Sequence, residues 1–196
     1  MTDFRTADGI GARIKALRKL RGIGSARALA DLIDHPNVTD AILQNIEAGR
    51  KVDLTISQLL NLALALGVPP SVLLAPIGRP QNALDLSGLS SGFDGMTSAE
   101  FDGWMSGMLE SAYVWKTAAE HSERAQLEAL RALLECVRER ARLRVALGLE
   151  ATGEPESPFT ADTQKRLAAL DQRIDLLASF LESAGWDTTS LFTLTS

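Results

Sequence analysis

Apolar residues recur at intervals of three and four through the first 75 residues, which is the period of an amphipathic helix. Capping residues and glycines divide this pattern into short segments: Gly22 and Gly67 end two of them, and Ser25 and Thr39 begin two others. Residues 68–74 add a last short segment. The pattern predicts five helices, whose apolar positions include Ile10, Ile14, Leu17, Leu29, Ala30, Ile33, Ile42, Leu43, Ile46, Leu59, Leu60, Leu62, Ala63 and Leu66.

The third of these helices, within residues 38–51, is the most informative segment of the chain. It begins at a capping Thr39 and stops at Gly49, directly before the basic pair Arg50 and Lys51. A short helix with exposed polar residues at its N-terminal end can enter a major groove and contact base edges. A basic pair beyond the helix can bind a phosphate. Four residues of this helix are expected to face away from the core: Asp40, Ala41, Gln44 and Asn45.

Residues 10–76, about a third of the chain, resemble the Cro/phage-repressor helix-turn-helix family, also called the xenobiotic-response-element family. The resemblance implies a five-helix, lambda-repressor-like domain that places its third helix in the major groove of double-stranded DNA. It is carried by several anchors at the spacing of the family: Arg13, Ile14, Leu17, Arg18, Leu29, Ala30, Val38, Thr39, Ile46, Glu47, Gly49, Leu59, Leu60, Ala63, Leu66 and Gly67.

The resemblance also implies a role for individual residues. Arg18 and Glu47 match the partly buried ion pair that ties the first helix to the end of the third, although they could also be two unconnected surface charges. Asp40 has a second interpretation as a first-turn residue that stabilises the helix dipole. The positions that read bases are Asp40, Ala41, Gln44 and Asn45, and those that suit phosphates are Ser25, Thr39, Arg50 and Lys51.

The sequence departs from the family at two places. Residues 34–37, Asp-His-Pro-Asn, lengthen the turn between the second and third helices, which puts the tilt of the recognition helix on DNA in question. Ala26 stands where the family commonly has a glutamine that touches a phosphate. The second change removes a positioning contact but no contact that reads sequence.

Beyond the first domain, 1–76, glycine, proline and serine interrupt the periodicity over 77–97, which predicts a linker with one helical turn around residues 82–86. Thr97 and Glu100 have capping-box spacing. A helical pattern then continues to about Leu147, with a kink or break near residues 121–122.

Gly148 is expected to end that helix. A polar loop over residues 148–158 and a helix over about residues 161–184 follow. The C-terminal domain is assigned to 98–185, and the tail, 186–196, either adds a strand across a dimer or frays.

Two apolar seams in this domain predict an antiparallel helical hairpin. One hairpin has little core, so it should pack against residues 101–115 or against a second copy, and the seams do not separate these alternatives. The residues expected at a dimer interface are Trp104, Met108, Trp115, Leu127, Leu130, Leu134, Val137, Leu170, Ile174, Leu177 and Leu181.

Aromatic residues are scarce in the chain and cluster at the start of this domain. They have three open interpretations: domain core, dimer interface, or a pocket for a partner. The cluster consists of Phe101, Trp104, Tyr113 and Trp115, together with Met105 and Met108.

Charge separates the two halves of the chain. Residues 1–80 carry ten Lys/Arg against seven Asp/Glu, whereas residues 81–196 carry ten against eighteen. A basic half joined to an acidic half is typical of a DNA reader with a separate partner domain. The basicity is modest, so a monomer should bind DNA weakly and with strong salt dependence, which favours a dimer.

Composition gives no support to a catalytic or metal-dependent role. The single cysteine and two distant histidines predict no metal site, and the sequence has no glycine-rich phosphate loop or nucleophile elbow. We therefore expect no cofactor and no enzyme activity. Without a signal peptide or a long apolar run, the expected location is the cytoplasm, with no membrane contact.

These features together predict an all-α, sequence-specific transcriptional regulator. We expect a repressor that acts as a homodimer on a near-palindromic operator, with the C-terminal helices making the dimer. Two alternatives remain open at this point. The acidic helices could bind a protein partner, as in an antitoxin or adaptor, or the Trp/Met cluster could sense a small molecule.

Overall fold

The computed structural model describes residues 3–150, 158–189 and 191. The regular secondary structure of these residues is helical, and their only strand-like pairing is one isolated antiparallel bridge between Ala83 and Thr97. The all-α prediction is therefore confirmed for the described residues. The helices are α1 (Ile10–Leu20), α2 (Ala26–Ile33), α3 (Asp40–Glu47), α4 (Ile56–Leu66), α5 (Pro70–Leu74), α6 (Ser98–Ser106), α7 (Ala118–Glu150) and α8 (Pro158–Ser183).

The described chain divides into two compact units. The first includes residues up to Ser106 together with Glu110–Val114. The second includes Gly107–Leu109 and the chain from Trp115 onward. The first unit therefore extends well past the predicted linker and takes in α6.

Helices α1 to α5 form the core of the first unit, because each turns one apolar stripe inward. Four of the predicted apolar positions behave differently from the others: Leu60 stays half exposed, and Ile33, Ile42 and Leu59 are only partly buried. The side chains of the core that are buried to 2% exposure or less include Ile14, Leu17, Leu29, Val38, Leu43, Ile46, Leu62, Ala63, Leu66 and Leu73.

Hydroxyl caps fix where three of these helices begin. The Ser25 side chain accepts a hydrogen bond from Ala28 N at 3.0 Å, and Thr39 accepts one from Ile42 N at 3.4 Å. Thr55 and Gln58 form a reciprocal capping box at the start of α4. Each cap satisfies an N–H group that has no partner inside its helix.

The segment 77–97 packs within the first unit and contains no helical turn at residues 82–86, so that part of the prediction is wrong. Leu84 N donates to Met96 O at 3.1 Å, and Ser98 N donates to Asn82 O at 2.8 Å. These backbone contacts bring the two ends of the segment together. Turn hydrogen bonds and a short 3-10 helix at Ser91–Phe93 satisfy further backbone groups of the segment.

The helical pattern predicted from Thr97 to Leu147 is broken, but earlier in the chain than expected. Helix α6 ends at Ser106, Gly107 adopts φ of 64°, and α7 begins only at Ala118. His121 and Ser122, where a kink was expected, lie inside α7. A left-handed glycine is a common helix terminator, and Gly107 acts as one here.

Helix α7 ends later than predicted, and helix α8 begins earlier than predicted. Helix α7 runs through Gly148 to Glu150, so this glycine does not end it. Helix α8 begins at Pro158, which suits the first turn of a helix because proline lacks the N–H that would be unsatisfied there. Residues 151–157 of the predicted loop and residues 190 and 192–196 of the tail lie outside the described residues.

Helices α7 and α8 form an antiparallel hairpin, as predicted. Arg140 contacts Asp171 at 3.3 Å, and Trp186 Nε1 donates to Gln126 Oε1 at 2.7 Å. The later residue of α7 therefore pairs with the earlier residue of the returning chain, which is the order expected of antiparallel helices. The core of the hairpin consists of Ala129, Leu133, Cys136, Val137, Ile174, Ala178 and Leu181.

The seam of α7 differs from the predicted one. Leu133 is fully buried, whereas Leu127 and Leu134 are only partly buried. The small residues Ala129 and Cys136 occupy two of the central positions, and small side chains permit a close approach of the helices. The sequence pattern favoured the larger leucines on the neighbouring face.

No described helix has the length and apolar character needed to cross a membrane.

Candidate nucleic-acid interface

Helix α3 separates a buried apolar face from an exposed edge. Leu43 and Ile46 are fully buried, while Ala41 and Gln44 are exposed. Asn45 on the same edge is partly buried, as is Asp40. Because residues three and four apart share one face of a helix, these positions form a single strip along α3.

Gln44 and Asp40 form a side-chain pair on this exposed edge. Gln44 Nε2 donates a hydrogen bond to Asp40 Oδ1 at 2.9 Å. The bond fixes the orientation of the Gln44 amide and leaves its carbonyl oxygen and one N–H group for an outside partner. Asp40 also lies in the first turn of α3, where a negative charge favours the helix dipole.

Asn45 contacts the basic pair that follows the helix. Its side-chain Oδ1 accepts a hydrogen bond from Arg50 Nε at 2.8 Å. Its main-chain oxygen accepts bonds from Arg50 N at 2.9 Å and from Lys51 N at 3.1 Å. Gly49, with φ of 69°, makes the turn that allows these contacts.

The predicted phosphate-contacting residues lie at the ends of helices. Ser25 and Thr39 are exposed and cap α2 and α3 through their hydroxyl oxygens. Each hydroxyl still has its proton to donate to an outside acceptor. Arg50 is exposed and Lys51 is partly buried beyond the end of α3.

Arg18 and Glu47 form a buried, bidentate ion pair. Arg18 Nε lies 2.6 Å from Glu47 Oε1, and Arg18 Nη2 lies 2.8 Å from Glu47 Oε2. The two side chains are 5% and 8% exposed. The hydrogen bond to Glu47 raises the pKa of Arg18 above its ordinary value, despite the opposing effect of burial. The pair fixes α1 against the C-terminal end of α3.

The lengthened turn between α2 and α3 is anchored to α4. Asp34 adopts φ of 47° at the end of α2. Asn37 Nδ2 donates to Ser57 Oγ at 2.7 Å, and Gln58 Nε2 donates to Asn37 O at 2.7 Å. Val38 is buried with 1% exposure. These bonds hold the turn that precedes the exposed edge of α3, and no periodicity in the sequence signals them.

A second buried charge pair was not predicted. Arg13 is fully buried and donates to both oxygens of Asp85, at 2.6 and 2.9 Å. Arg13 also donates to Leu73 O at 2.7 Å and to Leu74 O at 2.9 Å. Burial raises the pKa of Asp85, but hydrogen bonds from Arg13 and from Gly9 N, with the charge of Arg13, lower it below its ordinary value.

The predicted dimer residues fall into two groups. One group is inside the hairpin: Val137, Ile174 and Leu181 are 3%, 1% and 0% exposed, so they contribute packing within the hairpin rather than an outer surface. The other group is partly or largely exposed and consists of Trp104, Met108, Trp115, Leu127, Leu130, Leu134, Leu170 and Leu177. Within this group, Leu130, Leu170 and Leu177 also pack against the core of the hairpin.

The predicted aromatic cluster is distributed over both units. In the first unit Trp104 packs edge-on against Phe93, with ring centroids 5.2 Å apart. In the second unit Trp115 contacts His121, and the Arg124 guanidinium lies 5.0 Å from its ring centroid. Phe101 and Tyr113 are buried, whereas Met105 and Met108 are 44% and 48% exposed.

Comparisons with protein-family models, with curated proteins and with solved structures found no match to this chain. Within the described parts of the chain, no three His, Cys, Asp or Glu side chains are grouped so as to hold a metal ion.

Proposed function

We propose that the protein is a sequence-specific, double-stranded DNA-binding transcriptional regulator with a lambda-repressor-like domain. The observation that carries the proposal is the exposed polar edge of α3. Ala41 and Gln44 face outward while Leu43 and Ile46 on the opposite side are fully buried. This arrangement suits a helix that enters the major groove and contacts base edges.

The ends of the helices around this edge suit phosphate contacts. Ser25 and Thr39 lie at helix N-termini, where N–H groups and the helix dipole favour an anion. Arg50 and Lys51 follow the other end of α3. Contacts of these residues with phosphates would fix the orientation of α3 on the duplex, and its polar edge would read the sequence.

Three of the four residues predicted from the sequence, Asp40, Ala41 and Gln44, would read the bases. A glutamine pairs with adenine through its carbonyl oxygen and its N–H group, and both remain available on Gln44 beside its bond to Asp40. Asp40 suits the amino group of cytosine, and Ala41 suits the methyl group of thymine.

A dimer follows from the modest positive charge of this region. The first 80 residues have ten Lys/Arg against seven Asp/Glu, so one copy contacts few phosphates and binds weakly as salt increases. Two copies with α3 helices about 34 Å apart would read two half-sites of a near-palindrome. Occupation of a promoter by this dimer, in the cytoplasm of a cell, would repress transcription.

Selection of duplexes from a random pool with the purified full chain tests this function. We expect enrichment of one motif with two related halves spaced by about 10 base pairs. The test variant is Gln44→Ala. Its matched control is Gln172→Ala, since Gln44 and Gln172 are both exposed on helices. Gln44→Ala should change the enriched motif and Gln172→Ala should not. A pool that shows no enrichment with wild-type protein contradicts the proposal.

A further inference from the structure

Asn45 makes more contacts with the end of the helix than a base-reading residue requires. Its side-chain oxygen accepts from Arg50 Nε at 2.8 Å, and its main-chain oxygen accepts from Arg50 N and Lys51 N at 2.9 and 3.1 Å. One residue therefore holds both the backbone and the guanidinium of the segment that leaves α3. The arrangement depends on Gly49, whose φ of 69° turns the chain back toward Asn45.

These contacts compete with recognition of a base. An asparagine that pairs with adenine uses its carbonyl oxygen as an acceptor and its amide nitrogen as a donor. The Asn45 oxygen already accepts from Arg50, so one of its two acceptor positions is occupied and the orientation of its amide is fixed by the protein. Asn45 is also partly buried, whereas Gln44 is exposed and keeps its oxygen available. Of the two amides, Gln44 is the one whose geometry suits a base.

We infer that Asn45 is a positioning residue, which holds Arg50 in place to bind a DNA phosphate and does not read a base. This inference rests on the proposed DNA-binding function. A guanidinium has five N–H donors, and the bond to Asn45 uses only the one on Nε. The two outer NH2 groups keep the planar geometry that binds a phosphate through two parallel hydrogen bonds.

Fixing Arg50 before DNA arrives favours binding for a physical reason. Arg50 is exposed, and a free arginine side chain loses rotamer freedom when a phosphate holds it. The bond to Asn45 imposes part of that order in the free protein, so less freedom is lost on binding. The effect concerns the backbone of DNA and is therefore the same for every base sequence.

Fluorescence anisotropy with the full chain tests the assignment. The two probes are a labelled duplex of random sequence and one that carries the selected motif. The variants are Asn45→Ala, Arg50→Ala and the double variant, with Gln172→Ala as the control. We expect Asn45→Ala to weaken binding to both duplexes by the same factor. It should also reduce the slope of log K against log salt concentration, by up to the roughly one unit expected for a lost phosphate contact.

The double variant separates positioning from reading. If Asn45 acts through Arg50, the double variant binds each duplex no more weakly than Arg50→Ala alone. A loss from Asn45→Ala that is confined to the selected duplex, or that adds fully to the loss from Arg50→Ala, overturns the inference. Equal binding by Asn45→Ala and wild type on both duplexes also overturns it. If wild type binds neither duplex, the proposed function itself fails.

A measurement on the wild-type chain covers the case in which Asn45→Ala does not fold. The Arg50 Nε–H proton exchanges slowly with water if Asn45 accepts its hydrogen bond. We expect its NMR signal to be protected in the free protein and to stay protected with the random duplex bound. A rapidly exchanging signal in both states contradicts the positioning role.

Discussion

Arg13 and Asp85 are 72 positions apart, and two nitrogen atoms of the Arg13 guanidinium donate to the two oxygens of Asp85 at 2.6 and 2.9 Å. Arg13 is fully buried within the first helical unit, while the Asp85 side chain is 24% exposed. The pair connects α1 to the segment that follows α5. That segment is therefore part of the folded unit and not only a tether.

Removal of Asp85 should destabilise the first unit. Asp85→Ala leaves the buried Arg13 charge without its carboxylate, and we expect a loss of about 2 to 3 kcal/mol in the free energy of unfolding. Urea denaturation followed by circular dichroism measures this loss. Asp94→Ala is the matched control, because Asp94 lies exposed in the same segment. Equal stability of the two variants contradicts a structural role for the pair.

The same carboxylate predicts a dependence of stability on pH. The pKa of Asp85 is lower in the folded state than its ordinary value, so the unfolded chain binds more protons in acid. Its contribution to stability is complete above the ordinary aspartate range and is lost as the pH falls through the lower, folded-state pKa. Melting curves of wild type and Asp85→Asn should therefore converge as the solution is acidified. A difference in melting temperature between the two proteins that stays constant down to strong acid would show that protonation of Asp85 is not coupled to stability.

The ion pair between Arg18 and Glu47 gives a second test of stability. Both side chains are less than a tenth exposed, at 5% and 8%, so Glu47→Gln should cost about 3 to 5 kcal/mol by leaving Arg18 buried without its counter-charge. Urea denaturation measures the cost.

The exposed pair of Arg27 and Asp31 is a suitable control for that experiment. Its atoms lie 3.9 Å apart on side chains that are 79% and 72% exposed, so Asp31→Asn should cost less than about 1 kcal/mol. Similar costs for the buried and the exposed pair would show that burial of Glu47 does not matter.

The packing of the hairpin core predicts that two adjacent leucines contribute unequally to the free energy of unfolding. Leu133 is fully buried between α7 and α8, whereas Leu134 is partly buried. Leu133→Ala should cost about 2 to 5 kcal/mol, and Leu134→Ala should cost clearly less. Thermal unfolding of both variants measures the difference. A larger cost for Leu134→Ala would contradict the observed packing and favour the seam predicted from the sequence pattern.

The helices of the first unit are predictable because their signals are local. Ser25, Thr39 and Gly67 mark helix ends within a few residues, and the period of the apolar residues identifies the inner faces. The exposed edge of α3 follows from the same period. Local rules do not give the contacts that Asn45 makes with Arg50, because the amide must first be placed by the turn at Gly49.

Two of the remaining differences arise from contacts between residues distant in sequence, and one has a local signal. Arg13 meets Asp85 only after the chain folds back, so no spacing rule identifies this pair. The break after α6 has a local signal in Gly107, but the apolar pattern continues across it. In α7 the pattern favoured the large residue Leu134, whereas the partner helix packs against Leu133 and the smaller Cys136.

The most direct test of the central claim compares DNA binding by wild type and Gln44→Ala. Equilibrium anisotropy in dilute buffer measures the affinity of each for the selected duplex and for a random one. We predict that Gln44→Ala loses about 1 to 3 kcal/mol on the selected duplex and almost nothing on the random duplex. Equal losses on both duplexes, or no binding of either by wild type, contradict the claim that the outer edge of α3 reads DNA.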